Sequence, residues 1–353
     1  YGEVWGFLLG WVQTVICYPV SDAALDIAFS TYTTFLIPMT DFQQKLLAIG
    51  ILLFVTIMNI VGTKFGGIIQ TISTVGKLIP IFAIMIFGLI NGQVHDFRTT
   101  TVITEGAGFG AALLGTLWAY DGWISVTNIA GELKNPAKEM PRAIIIGVLT
   151  VILVYALMNI AMINVVPIEE IVVSRTPASA VAVRLFGSGG ASFITIGIII
   201  SVFGALNGYL LTGARVPLAM GERNHLPFSS KLKKIHQGFG TPANALILQS
   251  LLAIIYIFSG TFNTLTNLLV FVLWIFFVMG VFGIFILRRK KTVDNNSYKV
   301  PLYPFTPIVA ILGGAYILIS TILSSPLYSI VGIIITLAGL PIFYYLKERP
   351  RLK

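Results

Sequence analysis

Three things are scarce in this chain: cysteine, histidine and charge. Of 353 residues one is cysteine and three are histidine, and only 10% are Asp, Glu, Lys or Arg. A single cysteine, Cys17, allows no intramolecular disulfide and no multi-cysteine metal site. His95, His225 and His236 fall in expected loops with no pair at a helical spacing of four, so no metal or cofactor is expected. Soluble domains carry about 25% charged residues, and a water-soluble fold of this length could not hide so much apolar surface. Signal-peptide patterning is missing, and so are the basic, aromatic-lined modules of nucleic-acid binders. The longest connecting segments, near 92–107, 167–190 and 220–242, are too short to form a soluble domain.

What is present is hydrophobic sequence, 56% of the chain, with a mean hydropathy of +0.90. A bilayer core about 30 Å thick takes about 20 apolar residues per helical span. Ten such segments can be marked, at roughly 5–33, 44–62, 67–91, 108–133, 142–166, 191–219, 243–260, 265–288, 306–323 and 327–346. The net charge of +9 is distributed along the loops in an alternating way. With residue 1 placed inside, 18 of the 23 Lys and Arg fall on that side and four on the other, while Lys77 lies within a span. This bias predicts a multi-pass protein of the cell membrane with both termini cytoplasmic. The expected fold class is all-α polytopic membrane protein, with 1–353 forming a single transmembrane domain.

Charge inside a bilayer costs roughly 2.5–3.5 kcal/mol on insertion scales. Lys77 lies about ten residues into its span, about 15 Å deep at 1.5 Å per residue. Asp121 lies midway along 108–133 and is read as the only acid at mid-membrane depth. Each of these charges either satisfies another buried group or lines a water-filled path. The segment Gly115-Thr-Leu-Trp-Ala-Tyr-Asp-Gly-Trp123 sets a charge and a glycine among aromatics. That pattern predicts an interrupted helix, whose exposed N–H and C=O groups can hold a charged solute at the midplane. Aromatics beside glycine are also ordinary helix-packing features. Asn207, in Phe203-Gly-Ala-Leu-Asn-Gly208, is either an interhelical hydrogen-bonding group or part of a site.

Ala119-Tyr-Asp-Gly-Trp123 followed by Gly131-Glu-Leu-Lys-Asn-Pro136 resembles the sixth helix of the L-amino-acid transporter family, within the amino acid–polyamine–organocation superfamily. Four other stretches agree: Asn59-Ile-Val-Gly-Thr-Lys-Phe-Gly-Gly67, Gly76-Lys-Leu-Ile-Pro80, Phe203–Gly208 and Val300-Pro-Leu-Tyr-Pro304. Among the family's branches, the chain is most similar to the bacterial serine/threonine exchangers. The resemblance implies a twelve-helix fold with an inverted 5+5 repeat and two further helices, of which this chain would carry helices three to twelve. The glycine-rich first helix, which holds the substrate carboxylate in the family, would lie outside it. A full-length parent is therefore expected to transport, and this chain alone is not.

The same resemblance implies site residues. The substrate ammonium would bind the carbonyls of Trp118, Ala119 and Asp121, with Tyr120 and Gly122 in the same unwound segment and Trp118 as an aromatic gate. Lys77 matches a lysine standing where sodium-coupled relatives hold a cation, which implies sodium-independent exchange. Ser21, Asn207, Leu273 and Trp274 match positions that set side-chain selectivity. Leu273 replaces a polar amide of a relative for large amino acids, so substrate size stays open. Eukaryotic relatives join a glycoprotein through a disulfide from an outside loop, and no outside loop here has a cysteine.

The expected function is exchange of small neutral L-amino acids by alternating access. One alternative is a permease for amines, polyamines or other amino acids, which would surround its site with more acids than Asp121. Another is a non-transporting fragment. An enzyme would need a nucleophile–base pair or a metal set among the spans, and the sequence offers neither.

Overall fold

The computed structural model describes residues 1–92, 109–123, 133–290 and 298–348, with backbone but not side chains at 63–69, 110 and 111. His95, most of the 92–107 segment, the second half of the expected 108–133 span with Gly131 and Glu132, and the basic tail from 349 lie outside the described residues. Every regular element among the described residues is helical. In chain order they are α1 (Glu3–Val12), a π-helical turn (Gln13–Cys17), α2 (Tyr18–Thr33), α3 (Asp41–Val61), α4 (Thr63–Gly76), α5 (Leu78–Asn91), α6 (Phe109–Ala119), α7 (Pro136–Val165), α8 (Ile168–Val173), α9 (Pro177–Gly213), α10 (Arg215–Glu222), α11 (Ser229–Leu232), α12 (Ala243–Ser259), α13 (Phe262–Arg289), α14 (Phe305–Ser324), α15 (Pro326–Leu337) and α16 (Gly339–Glu348).

Eight helical stretches are long and apolar enough to cross a bilayer, and α12, with 17 residues, falls just short of that length. α6 covers the first half of the fourth expected segment, 108–133. The outward faces identify the solvent. Along α7, Ile145, Ile146, Leu149 and Leu153 are all exposed, and none of the helix's most apolar stretch is buried. In water such a face would demand a partner. In lipid it needs none, because the helix satisfies its own backbone hydrogen bonds. The chain is an all-α polytopic membrane protein.

Local chemistry explains where the helices depart from the expected spans. Expected segment 67–91 is two helices meeting at Lys77. Pro80 has no N–H for the carbonyl of Gly76, four residues back, and its ring crowds that carbonyl. The α-helical ladder therefore opens one residue before the lysine. The expected 191–219 segment begins earlier, because Pro177 stands in the first turn of α9, where its missing N–H costs nothing. α9 then kinks at Gly187, whose φ is +70°. Much of the expected 167–190 loop is thus helical.

The described residues form two compact units. The first holds Tyr1, 103–156 and 266–333; the second holds 2–102, 157–265 and 334–353. The core of the first unit is Leu114, Val270 and Ile317, with Leu117, Trp118 and Trp274 packed against it. The second unit combines an apolar cluster around Ile84, Val166, Val181 and Ile194 with buried polar bridges between helices. Thr56 of α3 meets Ser250 of α12 at 2.6 Å, and Ser179 meets Thr195 at 2.8 Å across the kink of α9 at Gly187. Such bonds tie helices together where lipid offers no hydrophobic drive for association.

Candidate functional site

α6 ends where the sequence predicts a break. Tyr120 N–H still donates to Thr116 O at 3.0 Å, but Asp121 N–H reaches back only three residues, to Trp118 O at 3.0 Å. Gly122 then takes φ +104°, in a region that favours glycine. The final carbonyls of a helix carry partial negative charge and lack intrahelical partners. One of them is met from α7: Tyr155 Oη–H donates to Ala119 O at 3.2 Å, while its ring packs edge-on against Tyr120 at 5.0 Å. A carbonyl oxygen has two lone pairs, so the oxygens of Trp118 and Ala119 can each accept a further donor. An ammonium group suits them, since it supplies three donors and a positive charge.

A cavity of about 40 Å³ opens beside this helix end. Its walls include Trp118, Tyr120 and Asp121 from the broken segment and Leu273, Trp274 and Phe277 from α13. Trp123 and Trp274 both contact the Phe277 ring, with centroids 5.7 and 5.9 Å away. Five of the residues singled out in the sequence thus share one pocket: Trp118, Tyr120, Asp121, Leu273 and Trp274. Ala119 and Gly122 lie in the same turn. Sequence reasoning missed Tyr155 and Phe277. Both stand inside expected spans, and only the register of α7 and α13 reveals that they face the break.

The other singled-out residues belong to the second unit. Lys77 sits at the α4–α5 junction, half-buried, and makes no ion pair with another described residue. Ser21 is buried on α2. Asn207 is fully buried: its Oδ1 accepts from Asn59 Nδ2 at 2.9 Å and its Nδ2 donates to Gln70 Oε1 at 3.2 Å, linking α3, α4 and α9.

One expectation fails here. Asp121 is not the only acid at membrane depth: Asp22 and Asp26 lie within the Glu3–Thr33 span, both with no exposed surface. The signal was in the sequence, as two acids four residues apart inside an apolar segment. The charge asymmetry of the loops drew attention away from charges within the spans. The pocket beside α6 is unaffected, since Asp121 is its only acidic lining residue among those described.

Apolar helices exposed on their outer faces, with one broken over an aromatic-walled cavity, define a membrane carrier of small solutes rather than an enzyme. The chain belongs to the amino acid permease family, whose sequence model matches residues 1–345. It is 43% identical over 350 residues to the serine/threonine exchanger of Bacillus subtilis, covering 99% of this chain and 80% of that relative. It is 32% identical over 358 residues to the mouse b(0,+)-type amino acid transporter 1, covering 98% and 72%. To the mouse large neutral amino acids transporter small subunit 2 it is 30% identical over 366 residues, covering 99% and 68%. The protein is therefore an amino-acid transporter of the membrane.

Proposed function

We propose that the protein exchanges small neutral L-amino acids, serine and threonine first among them, across a bacterial cell membrane without sodium. The observation that carries this reading is the end of α6, where Trp118, Tyr120 and Asp121 line an aromatic-walled cavity in which Asp121 is the one acid among the described lining residues. The substrate ammonium binds the carbonyls of Trp118, Ala119 and Asp121. Trp118 closes over it, and Leu273 and Trp274 bound its side chain. A pocket with one acid suits an amino acid better than a multiply charged amine. Asn207, in the second unit, holds Asn59 and Gln70. The 43% identity to a protein named as a serine/threonine exchanger supports the choice of substrate.

Small-molecule pockets commonly run to about 300–1,000 Å³, so a cavity of about 40 Å³ is small for a whole amino acid. Loading therefore requires the walls to part, as alternating access demands. Lys77 supplies the fixed positive charge that sodium provides in coupled relatives. Both termini face the cytoplasm, in keeping with the loop charges. The test is uptake of labelled serine by proteoliposomes of the full-length protein preloaded with serine or threonine. Uptake should need internal substrate and be indifferent to replacing sodium with potassium. Strict dependence on a sodium gradient would overturn the reading.

A further inference from the structure

Within the second unit, the hydrogen-bond account of three buried side chains does not close. Asp22 and Asp26 stand one turn apart on α2, both without exposed surface, and Gln249 of α12 is 2% exposed. Gln249 Nε2 donates to Asp22 Oδ2 at 2.6 Å and, at 3.4 Å, to the carbonyl of Tyr209. Four oxygens are left without a partner: Asp22 Oδ1, both carboxyl oxygens of Asp26, and Gln249 Oε1. All four are acceptors, and no donor among the described residues reaches them. The chain has built a pocket of lone pairs with nothing in it to donate.

The elements packed against α2 offer no cation. They are α9, α12, α3 and the π turn. α9 brings Tyr209, whose ring packs edge-on against Tyr18 at 6.2 Å, and Arg184, which is paired with Glu170. α12 brings Tyr256, whose hydroxyl donates to Val15 O at 3.0 Å. The charged residues of α3, Asp41 and Lys45, stand in its first two turns, with Lys45 over the Phe258 ring. The π turn brings Cys17, and α2 itself adds Tyr18 and Tyr32. Neither aspartate forms an ion pair with a described residue.

Two ionised carboxyl groups in such a place would each cost several kcal/mol. Protons remove that cost and also turn an acceptor into a donor. A proton on Asp22 Oδ1 supplies the donor that Gln249 Oε1 lacks. Together with the existing Nε2–H···Oδ2 bond it closes a reciprocal acid–amide pair. A proton on Asp26 neutralises the second carboxyl. A metal ion fits less well. Among the described residues no three acid, histidine or cysteine side chains gather to hold one, and a monovalent ion between two carboxylates leaves a buried negative charge.

We propose that Asp22, Asp26 and Gln249 form a proton-binding site whose occupancy is linked to the transport movement. The linkage rests on the exchanger reading above and on two further features. The helix carrying both acids follows directly on the π turn Gln13–Cys17, and π turns concentrate at functional sites. Gly213 of α9 stands so close that a Cβ there would lie 2.6 Å from both Gln249 Nε2 and the Tyr18 ring. α2, α9 and α12 therefore meet at this point with no slack. Loss of a proton leaves a charge that only water or separation of the helices can solvate. The two carboxyls titrate as a pair, not singly.

The site is tested without transport by infrared difference spectroscopy on the full-length protein in sodium-free lipid nanodiscs. The expected result is a protonated-carboxyl stretch at neutral pH that weakens in both Asp22→Asn and Asp26→Asn. In Gln249→Leu its frequency should shift, because the amide partner is gone. A wild-type spectrum without the band overturns the site, whether or not the variants fold. Disappearance of the band when sodium chloride replaces potassium chloride assigns the acids to a metal cation and also overturns it. Linkage is then read in proteoliposomes. The wild-type exchange rate should fall with rising pH, by up to about tenfold per unit beyond the midpoint, and the profile should be flat in the double variant Asp22→Asn/Asp26→Asn. An unchanged profile in that variant refutes the linkage. Absence of any exchange in the wild type refutes the exchanger reading instead and leaves the infrared result standing.

Discussion

Gly122→Ala isolates the break in α6 from everything around it. A Cβ built on Gly122 meets no atom of the described residues within 4 Å, so the substitution adds no clash with them. What it adds is conformational. A non-glycine residue held in a sparsely populated region such as φ +104° costs about 1–3 kcal/mol. Alanine also favours helix over glycine by up to about 1 kcal/mol. Both terms act in one direction, towards continuing α6 through Tyr120 and Asp121 and consuming the carbonyls assigned to the ammonium. At 1.4 kcal/mol per factor of ten, substrate affinity should fall by about fivefold to several hundredfold. Gly115 is the matched control: it lies inside α6 and also has open space around it. Gly115→Ala should therefore be neutral or stabilise by up to about 1 kcal/mol. The measurement is half-saturation for exchange in proteoliposomes, beside the melting temperature in detergent. Wild-type affinity in Gly122→Ala, or equal damage in both variants, would refute the argument.

Lys77→Ala should abolish most exchange while the protein still inserts and purifies as a folded monodisperse species; normal uptake would rule out a fixed-cation role. Asn207→Leu removes one of the two acceptors of Asn59 Nδ2, which keeps Val55 O, and takes the Asn207 donor from Gln70 Oε1, at a cost of about 1–3 kcal/mol. The double variant Asn59→Leu/Asn207→Leu should recover part of that loss in thermal melts, and a double as unstable as the sum of the singles would argue against a shared bond. Orientation is testable by impermeant maleimide on intact cells, because the native Cys17 is buried. Arg175→Cys should label from outside, and Lys231→Cys only after the cells are opened.

Eight of the ten expected segments match helices long and apolar enough to cross a bilayer, and they were legible because apolar length is a coarse, additive signal. The break in α6 was legible because Asp-Gly among aromatics is incompatible with a comfortable apolar helix. Other features depended on relations between residues far apart. Pro80 opens the ladder at Gly76, a four-residue relation that reads as a continuous span when only hydropathy is averaged. The donation from Tyr155 to Ala119 requires the register of α7 against α6. Asp22 and Asp26 were overlooked for another reason: averaged over 31 residues, their span remains apolar at a hydropathy of 1.3. The loop at 167–190 looked irregular because of its prolines, yet Pro177 starts a helix.

The interruption at Pro80 also has an electrical side. Splitting one helix into two creates, at mid-span, a terminus where α4 ends and its last carbonyls point towards α5. Such a terminus behaves as a fractional negative charge, and a cation beside it gains about 0.3–1 kcal/mol, more where water is scarce. Lys77 is the residue placed there. A helix terminus can favour a cation without the carboxylate that would cancel its charge, and no described carboxylate pairs with Lys77. In the proposed exchanger, that placement lets a lysine take the place of a bound metal ion with no neutralising acid paired to it among the described residues.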